Sequence, residues 1–377
     1  MLQNQVILSL GSNIGEKLRN LEVAISCIHE SVGTVVKVSK VYETPSWGFE
    51  SDSFLNLCLA MHSNKTAIKI LDGIQEIEKK LGRNQKTSLE YEARTIDIDI
   101  IFFNNDIITS ENLTIPHSQM HLRKFVLVPL LDLQTDFFHP KTNQNLKQLL
   151  DDCPDKSDIK TIGKIDLPLS KINLQKYNYV AIEGNIGAGK TTLSTKIAED
   201  FNAKTILERF ADNPFLPKFY KDQARYAFPL EMSFLADRYQ QLSDDLAQFD
   251  LFSDFVVADY HIFKSLIFAK VTLHDDEFRL YKTMFDIIYK EMPKPDLYIY
   301  LYQSTYRLLE NIKKRGRIYE QDIEFEYLEK INRGYLDYIK QQKDLNVVII
   351  DVSEKDFLKN QEDYLFVLNE IKIKTNE

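Results

Sequence analysis

Residues 179–192 read YVAIEGNIGAGKTT, and no other stretch restricts the fold as tightly. An unbroken apolar run suits a strand covered on both faces of a parallel sheet. It ends in G-x-x-x-x-G-K-T, from Gly184 to Thr191, so the strand must give way to a glycine-rich turn that opens a helix. Backbone N–H groups at such a helix start cradle phosphates. Lys190 then reaches the β- and γ-phosphates, and the Thr191 hydroxyl joins magnesium. The expected ATP-binding set is Gly184, Asn185, Gly187, Ala188, Gly189, Lys190, Thr191 and Thr192. A glycine-rich turn with no ligand is the plainer alternative.

Similar apolar runs recur at FVVAD, LYIYL and NVVIID, separated by long helical stretches. That alternation predicts a doubly wound α/β P-loop domain over residues 178–377. The chain before it has a different rhythm. VILSL, TVVKVSKVY and FLNLCLAMHS read as strands, and RTIDIDIIFF as another. Leu18, Leu21, Ile25 and Ile28 recur at helical spacing, as do Ala67, Ile70, Leu71, Ile74, Ile77 and Leu81. NND at 104–106 reads as a hairpin turn with IITS leading away. Strand, helix, strand, strand, helix, strand is the order of a ferredoxin-like α+β layer, expected over residues 1–165. Residues 166–177 have no clear periodicity and read as a linker.

Asp97 and Asp99 are two apart within an otherwise apolar strand, so both carboxylates share one face, about 7 Å apart. Like charges that close ask for a cation. Glu78, Arg83 and Arg94 precede them, and His117 and Arg123 follow. Magnesium prefers carboxylate oxygens and keeps phosphate oxygens as further ligands; arginines match phosphate in bidentate geometry. The set suits a bound magnesium–nucleotide, or else ion pairs at a solvated strand edge. His117 and His121 are four apart with no third ligand evident, which argues against zinc.

LGSNIG, YETPSWG, FLN, LGR, RTIDIDI, IPH and RKFVLVPL follow in order over residues 6–165. Together they resemble 6-hydroxymethyl-7,8-dihydropterin pyrophosphokinase, an enzyme of folate synthesis. The resemblance implies transfer of a diphosphate from ATP to the pterin hydroxymethyl group, with two magnesium ions held by Asp97 and Asp99. It implies that Arg83, Arg94, His117 and Arg123 meet ATP, and that Thr44, Pro45, Asn56 and Phe125 line the pterin pocket. Within NQKTSLEYEAR, Tyr91 and Ala93 stand where the family usually has Trp and Pro.

In the second half, LERFADNPFLPKFY, FPLEMSFLADRYQQL and KKRGRIYE supply acids, aromatics and a basic turn. This half resembles the deoxynucleoside kinases, particularly the bacterial deoxyadenosine and deoxyguanosine kinases. The resemblance implies Glu208 as general base for the sugar 5′-hydroxyl, and Tyr220 and Glu320 on the 3′-hydroxyl. Arg315 and Arg317 become the lid, and Asp259 sits near one magnesium ion. Two positions depart from the pattern. Glu231 stands where the family commonly has a base-reading Gln; an ionised Glu only accepts hydrogen bonds, which leans toward guanine among purines. Tyr260 follows Asp259 where Arg is usual, with Arg209 and Arg238 as candidate replacements.

Net charge of −9 gives no support to nucleic-acid binding or a polybasic membrane patch. The cysteines, Cys27, Cys58 and Cys153, are far apart, as in a reducing compartment. With no leader signature and no apolar run long enough to span a bilayer, the expected location is cytoplasmic. The expected protein is a bifunctional enzyme using magnesium and ATP on two small molecules, and the second resemblance implies a homodimer through its C-terminal domain. Its rival keeps the first activity and makes the second domain a nucleotide-binding or dimerisation module, a reading favoured by Tyr260. A weaker rival is a P-loop kinase of nucleoside monophosphates.

Overall fold

Val6, Leu8 and Leu10 share one face of strand β1 (Asn4–Ser12), and Ile7 and Ser9 the other; all are buried. A strand buried on both faces needs cover on both, and the computed structural model supplies it. It describes residues 3–46, 51–82, 94–133, 137–209, 213–219, 221–247 and 253–376, the side chains of Tyr319 and Asn376 apart. The chain divides into two units: Met1–Asn173 with Lys359–Leu365, and Leu174–Leu358 with Phe366–Glu377.

In the first unit β1 leads through α1 (Lys17–Ser31) to β2 (Thr34–Val38), β3 (Lys40–Thr44) and β4 (Phe54–Ser63). Next come α2 (Ala67–Lys80), β5 (Asp97–Phe103) and the small hairpin β6 (Ile108–Thr109) with β7 (Thr114–Ile115). Then follow α3 (Lys124–Asp132), α4 (Leu146–Asp151) and β8 (Lys160–Lys164). The antiparallel sheet runs β5-β1-β4-β3-β8, with β2 also paired to β4. Helices α1 and α2 press Leu21, Ile25, Ile28, Ile70, Ile74 and Ile77 against Val6, Leu8 and Leu10. Leu18, read from its spacing as part of that stripe, is instead exposed. On the opposite face α3 packs Val126, Leu127 and Leu130 against Ile7, Cys58 and Phe102.

β5 departs from simple alternation. Ile7 pairs with Phe102 and Leu8 with Ile100, so Ile101 is an extra residue, a β-bulge. The bulge lets both Ile101 and Phe102 join the face that carries Asp97 and Asp99, while Ile98, Ile100 and Phe103 fill the helix-side core. The stretch read as a linker holds a 3₁₀ turn at Pro168–Lys171, with Leu169, Ile172 and Leu174 buried.

The second unit begins with β9 (Tyr179–Gly184), α5 (Lys190–Phe201), β10 (Lys204–Ile206), α6 (Leu216–Phe219) and α7 (Gln223–Ala247). It continues with β11 (Val256–Ala258), α8 (Phe263–Thr272), α9 (Asp275–Tyr289), β12 (Leu297–Tyr302) and α10 (Thr305–Arg315). α11 (Phe325–Gln341) and β13 (Val347–Asp351) follow, and α12 (Gln361–Asn376) ends the chain. All strand pairs are parallel, in the order β10-β11-β9-β12-β13. The chain leaves β9 toward one edge and β11 toward the other, so the crevice between their carboxyl ends is a topological switch point, where such sheets bind ligands.

Glu183, the one acid in YVAIEG, is fully buried at that crevice. Its carboxylate accepts from the His261 N–H at 2.7 Å, the Tyr335 hydroxyl at 2.9 Å and the Gly184 N–H at 3.3 Å. It therefore ties β9 to the start of α8 and to α11. Burial pushes its carboxyl above the usual range, opposed by Lys264 and Lys190. Each buried donor left without an acceptor costs about 1–3 kcal/mol. Glu183→Ala should therefore lower stability by about 3 kcal/mol or more in denaturant titration, and Glu183→Gln by less; an unchanged midpoint in Glu183→Ala would contradict this role.

Candidate active sites

Strand register assembles the first site. Gly11 of β1 pairs with Asn56 on β4 and with Asp97 on β5, so Asn56, Gly11 and Asp97 form one row across three strands. Paired residues point to the same face, and adjacent strands are about 4.8 Å apart, so the outer two backbones lie roughly 10 Å apart. Gly11 keeps the gap clear: a Cβ there would stand 2.7 Å from Asn56 Oδ1. Asn56 is buried and donates from Nδ2 to Thr44 Oγ1 at 2.8 Å. Phe125 opens α3 on the same side of the sheet, with the Arg123 guanidinium 5.7 Å from its ring centre. Pro45 is exposed beyond the end of β3.

The row continues into charge. Arg94 Nη1 lies 2.7 Å from Asp97 Oδ2, and Arg123 Nη1 and His117 Nε2 lie 3.6 and 3.9 Å from Asp99 Oδ2. Burial lowers the His117 pKa; Asp99 opposes that and Arg123 adds to it. Its Nδ1 accepts from the Gln119 N–H, so the neutral ring carries its proton on Nε2, facing Asp99. Glu78 serves the backbone instead: its Oε1 accepts from the Ile98 N–H at 2.8 Å. Asn13 was missed by sequence reading. It is buried, and its Oδ1 accepts from the Arg94 N–H at 2.6 Å while its Nδ2 donates to Ser51. The signal was present in LGSNIG, whose Asn needed a stated job.

The second site follows β9. Gly187 and Gly189 have φ of 84° and 89°, and a Cβ at Gly189 would come within 2.7 Å of the Phe357 ring. Only glycine takes both positions without strain. Lys190 caps the turn, donating from Nζ to the Gly184 and Asn185 carbonyls at 2.9 Å. Burial and neighbouring Lys264 lower its pKa to about 8, against Glu183, Glu208 and Asp259. The Thr191 hydroxyl donates to Asp259 Oδ2, and Asp259 Oδ1 accepts from the Glu208 N–H at 2.7 Å. One aspartate thus joins the phosphate turn, the end of β11 and the candidate base.

Glu208 is clamped between two cations. Arg238 donates to Oε1 from Nε at 2.9 Å and from Nη2 at 2.7 Å, and Lys264 Nζ lies 2.5 Å from Oε2. Burial raises the Glu208 pKa, but Lys264 and then Arg238 outweigh it and hold the carboxyl below its usual range. Tyr260 takes no part. It is fully buried in the apolar core, and among the described residues its hydroxyl finds no hydrogen-bond partner. Of the two arginines considered as replacements, Arg238 reaches Glu208 and Arg209 is exposed. Lys264 was not foreseen.

Glu231 is buried in the same cleft, which Arg315, Arg317 and Glu320 also line. Its Oε1 accepts from the Thr272 hydroxyl at 3.0 Å, and Oε2 finds no hydrogen-bond partner among the described residues. Burial pushes its carboxyl up to about 7, against Arg238, Thr272 and Lys264; Glu208 adds to the rise. Arg315 pairs with Glu320 Oε2, and Arg317 Nη1 lies 3.2 Å from Oε1. The αL turn at Gly316 (φ 73°) ends α10 between these two arginines. Arg83, Tyr91, Ala93 and Tyr220 lie outside the described residues.

Both sites fit magnesium. Among the described residues no cluster of three or more His, Cys, Asp or Glu forms a metal cage. Magnesium is usually held by one or two carboxylates with phosphates and water completing its shell. Asp97 with Asp99, and Asp259 with Thr191, supply such oxygen donors beside arginine or lysine.

Comparison with known proteins finds a family for each half of the chain. The family model described as "Deoxynucleoside kinase" matches residues 180–375, and that of 7,8-dihydro-6-hydroxymethylpterin-pyrophosphokinase matches residues 7–135. Deoxyguanosine kinase of Bacillus subtilis is 42% identical over 190 residues, 49% of this chain and 92% of that protein. The 2-amino-4-hydroxy-6-hydroxymethyldihydropteridine pyrophosphokinase of the same organism is 37% identical over 134 residues, 35% of this chain and 79% of that protein. A solved structure of deoxyadenosine kinase from M. mycoides is 26% identical, covers 52% of this chain and 99% of that one, and has a TM-score of 0.46. The chain belongs to both families, its first unit to the hydroxymethyldihydropterin pyrophosphokinases and its second, a P-loop kinase, to the deoxynucleoside kinases.

Proposed function

We propose that the chain is a bifunctional ATP-dependent enzyme with one complete site in each unit. The N-terminal unit, read as a ferredoxin-like layer over residues 1–165, transfers diphosphate from ATP to 6-hydroxymethyl-7,8-dihydropterin for folate synthesis. The C-terminal unit, residues 178–377, phosphorylates deoxynucleosides, preferably purines, at the 5′-hydroxyl. The Asn56–Gly11–Asp97 row supports the first activity, because it holds a polar edge and a carboxylate on one face with room between them. The hydrogen-bonded series Thr191–Asp259–Glu208 supports the second, because it joins a phosphate turn to a base.

In the first site Asn56, Thr44 and Phe125 hold the flat pterin, and Arg94, His117 and Arg123 orient the triphosphate. Asp97 and Asp99 would hold two magnesium ions, which when bound neutralise phosphate charge. Most of the rate comes from aligning the hydroxymethyl oxygen with the β-phosphorus. In the second site Lys190 and the turn amides hold the phosphates, Glu208 takes the hydroxyl proton, and Asp259 with Thr191 would hold one magnesium ion. Arg315 and Arg317 close on the phosphates, and Glu320 turns to the 3′-hydroxyl. Replacing Arg by Tyr260 does not strip Glu208 of positive charge, since Arg238 and Lys264 supply it.

Glu231 reads the base. Its ionised form accepts from both donors of the guanine Watson–Crick edge; its protonated form donates once and accepts once, as adenine requires. With a pKa pushed up to about 7, ionisation spans neutral pH.

The C-terminal unit pairs with a second copy. Leu280, Met284 and Ile287, on one stripe of α9, are 56%, 39% and 59% exposed, while Tyr281 and Phe285 of the same helix are buried.

Three outcomes test these readings. Asp97→Ala should cut pterin-dependent AMP formation by at least about 100-fold and leave deoxynucleoside phosphorylation intact, and Lys190→Ala should do the reverse; loss of both activities in either variant would refute two self-contained sites. The deoxyguanosine-to-deoxyadenosine ratio of kcat/KM should rise about 100-fold from about pH 6 to about pH 8, and Glu231→Gln should remove that slope. Sedimentation velocity should give a dimer for the wild type and a monomer for Ile287→Lys; a monomeric wild type would rule the pairing out.

A further inference from the structure

Lys264 is absent from every functional pattern read from the sequence, yet it stands in the kinase cleft. It is the second residue of α8, its side chain is 8% exposed, and its ammonium contacts Glu208 Oε2. Arg238 and Lys264 hold the same carboxylate in different ways. Arg238 makes two bonds to Oε1, and its Nη1 donates to Ser265 Oγ at 2.7 Å. A planar fork held at three points does not move without breaking all of them. Lys264 has a flexible four-carbon stem, one carboxylate oxygen and the Phe268 ring at 5.5 Å. It lines the same cleft as Lys190, whose side chain is buried too. Two buried ammonium groups that disfavour each other are both relieved by an anion between them.

We propose that Lys264 is a catalytic cation of the kinase site, passing from Glu208 to the transferring phosphoryl group once ATP and the deoxynucleoside occupy the cleft. This rests on the reading of the C-terminal unit as a 5′-kinase. In the step, the nucleoside 5′-oxygen forms a bond to the γ-phosphorus. The bond from that phosphorus to the β–γ bridging oxygen breaks, and its electron pair leaves with ADP. The hydroxyl proton goes to Glu208. The charge spread over the equatorial oxygens is met by Lys190 from the turn and by Lys264 from α8. Arg238 stays on Glu208 throughout, so the carboxylate is never left buried without a partner. The same move uncovers Glu208 Oε2, the oxygen then able to take the proton.

The test is steady-state kinetics with deoxyguanosine and ATP on wild type, Lys264→Met and Lys264→Arg, with melting temperatures measured alongside. Lys264→Met keeps most of the stem and leaves Glu208 on Arg238. Its expected kcat is lower by about 100- to 1,000-fold, the usual effect of removing one preorganised transition-state partner. KM for the deoxynucleoside should stay within about threefold, since the interaction belongs to the transition state. Lys264→Arg should retain at least about a tenth of kcat, because a cation is what the step requires. A purely structural lysine would move KM or the melting temperature and spare kcat, and that result overturns the proposal. If Lys264→Met does not fold, Lys264→Arg decides: retained turnover supports the proposal, and a folded variant inactive by more than about 100-fold overturns it. A wild type that phosphorylates no deoxynucleoside overturns the kinase reading and this inference together. An active wild type matched by an equally active Lys264→Met overturns this inference alone.

Discussion

A polyphosphate cannot be bound without setting several like charges beside one another, partly out of water. Isolated charge in such a place is costly, so every carboxylate and cation there needs a partner before the ligand arrives and after it. Both units meet that constraint with exchangeable pairs. Asp97 faces Arg94, and Asp99 faces Arg123 and His117. Glu208 faces Arg238 and Lys264, and Glu320 faces Arg315 and Arg317. In each cluster the charges are thus already paired before a polyphosphate enters.

The backbone makes those pairs possible in two different ways. In the antiparallel sheet, register brings residues far apart in the chain into a single row, and a glycine in the middle leaves space for a substrate. In the parallel sheet, the switch point places the turn after β9 beside the end of β11, and Thr191 meets Asp259 there. Buried Glu183 then ties that corner together through three hydrogen bonds, one of them from Tyr335 of α11. The first site depends on strand pairing, the second on strand order.

These differences explain what could be read from residues alone. Four of the five parallel strands were legible because each lies in an apolar run; β10 reads Lys-Thr-Ile and gives no such signal. The P-loop was legible because its spacing and its context are both local. Asp97 and Asp99 were legible as a pair because alternation is local too. Their alignment with Gly11 and Asn56 was not, since register is set by pairing between segments more than 40 residues apart. The bulge at Ile101 was hidden for the same reason. Lys264 was hidden because the direction it takes from α8 depends on how that helix leaves β11. Tyr260, read as a lost cation, is a core residue, and the charge enters from elsewhere.

If charge is balanced inside each unit, neither site needs the other. ATP consumption with both substrates present tests that directly, since one reaction releases AMP and the other ADP. At saturating ATP, AMP and ADP should appear together at the same rates measured with pterin alone and with deoxynucleoside alone. A clear rise or fall in either rate when the second substrate is added would contradict the account.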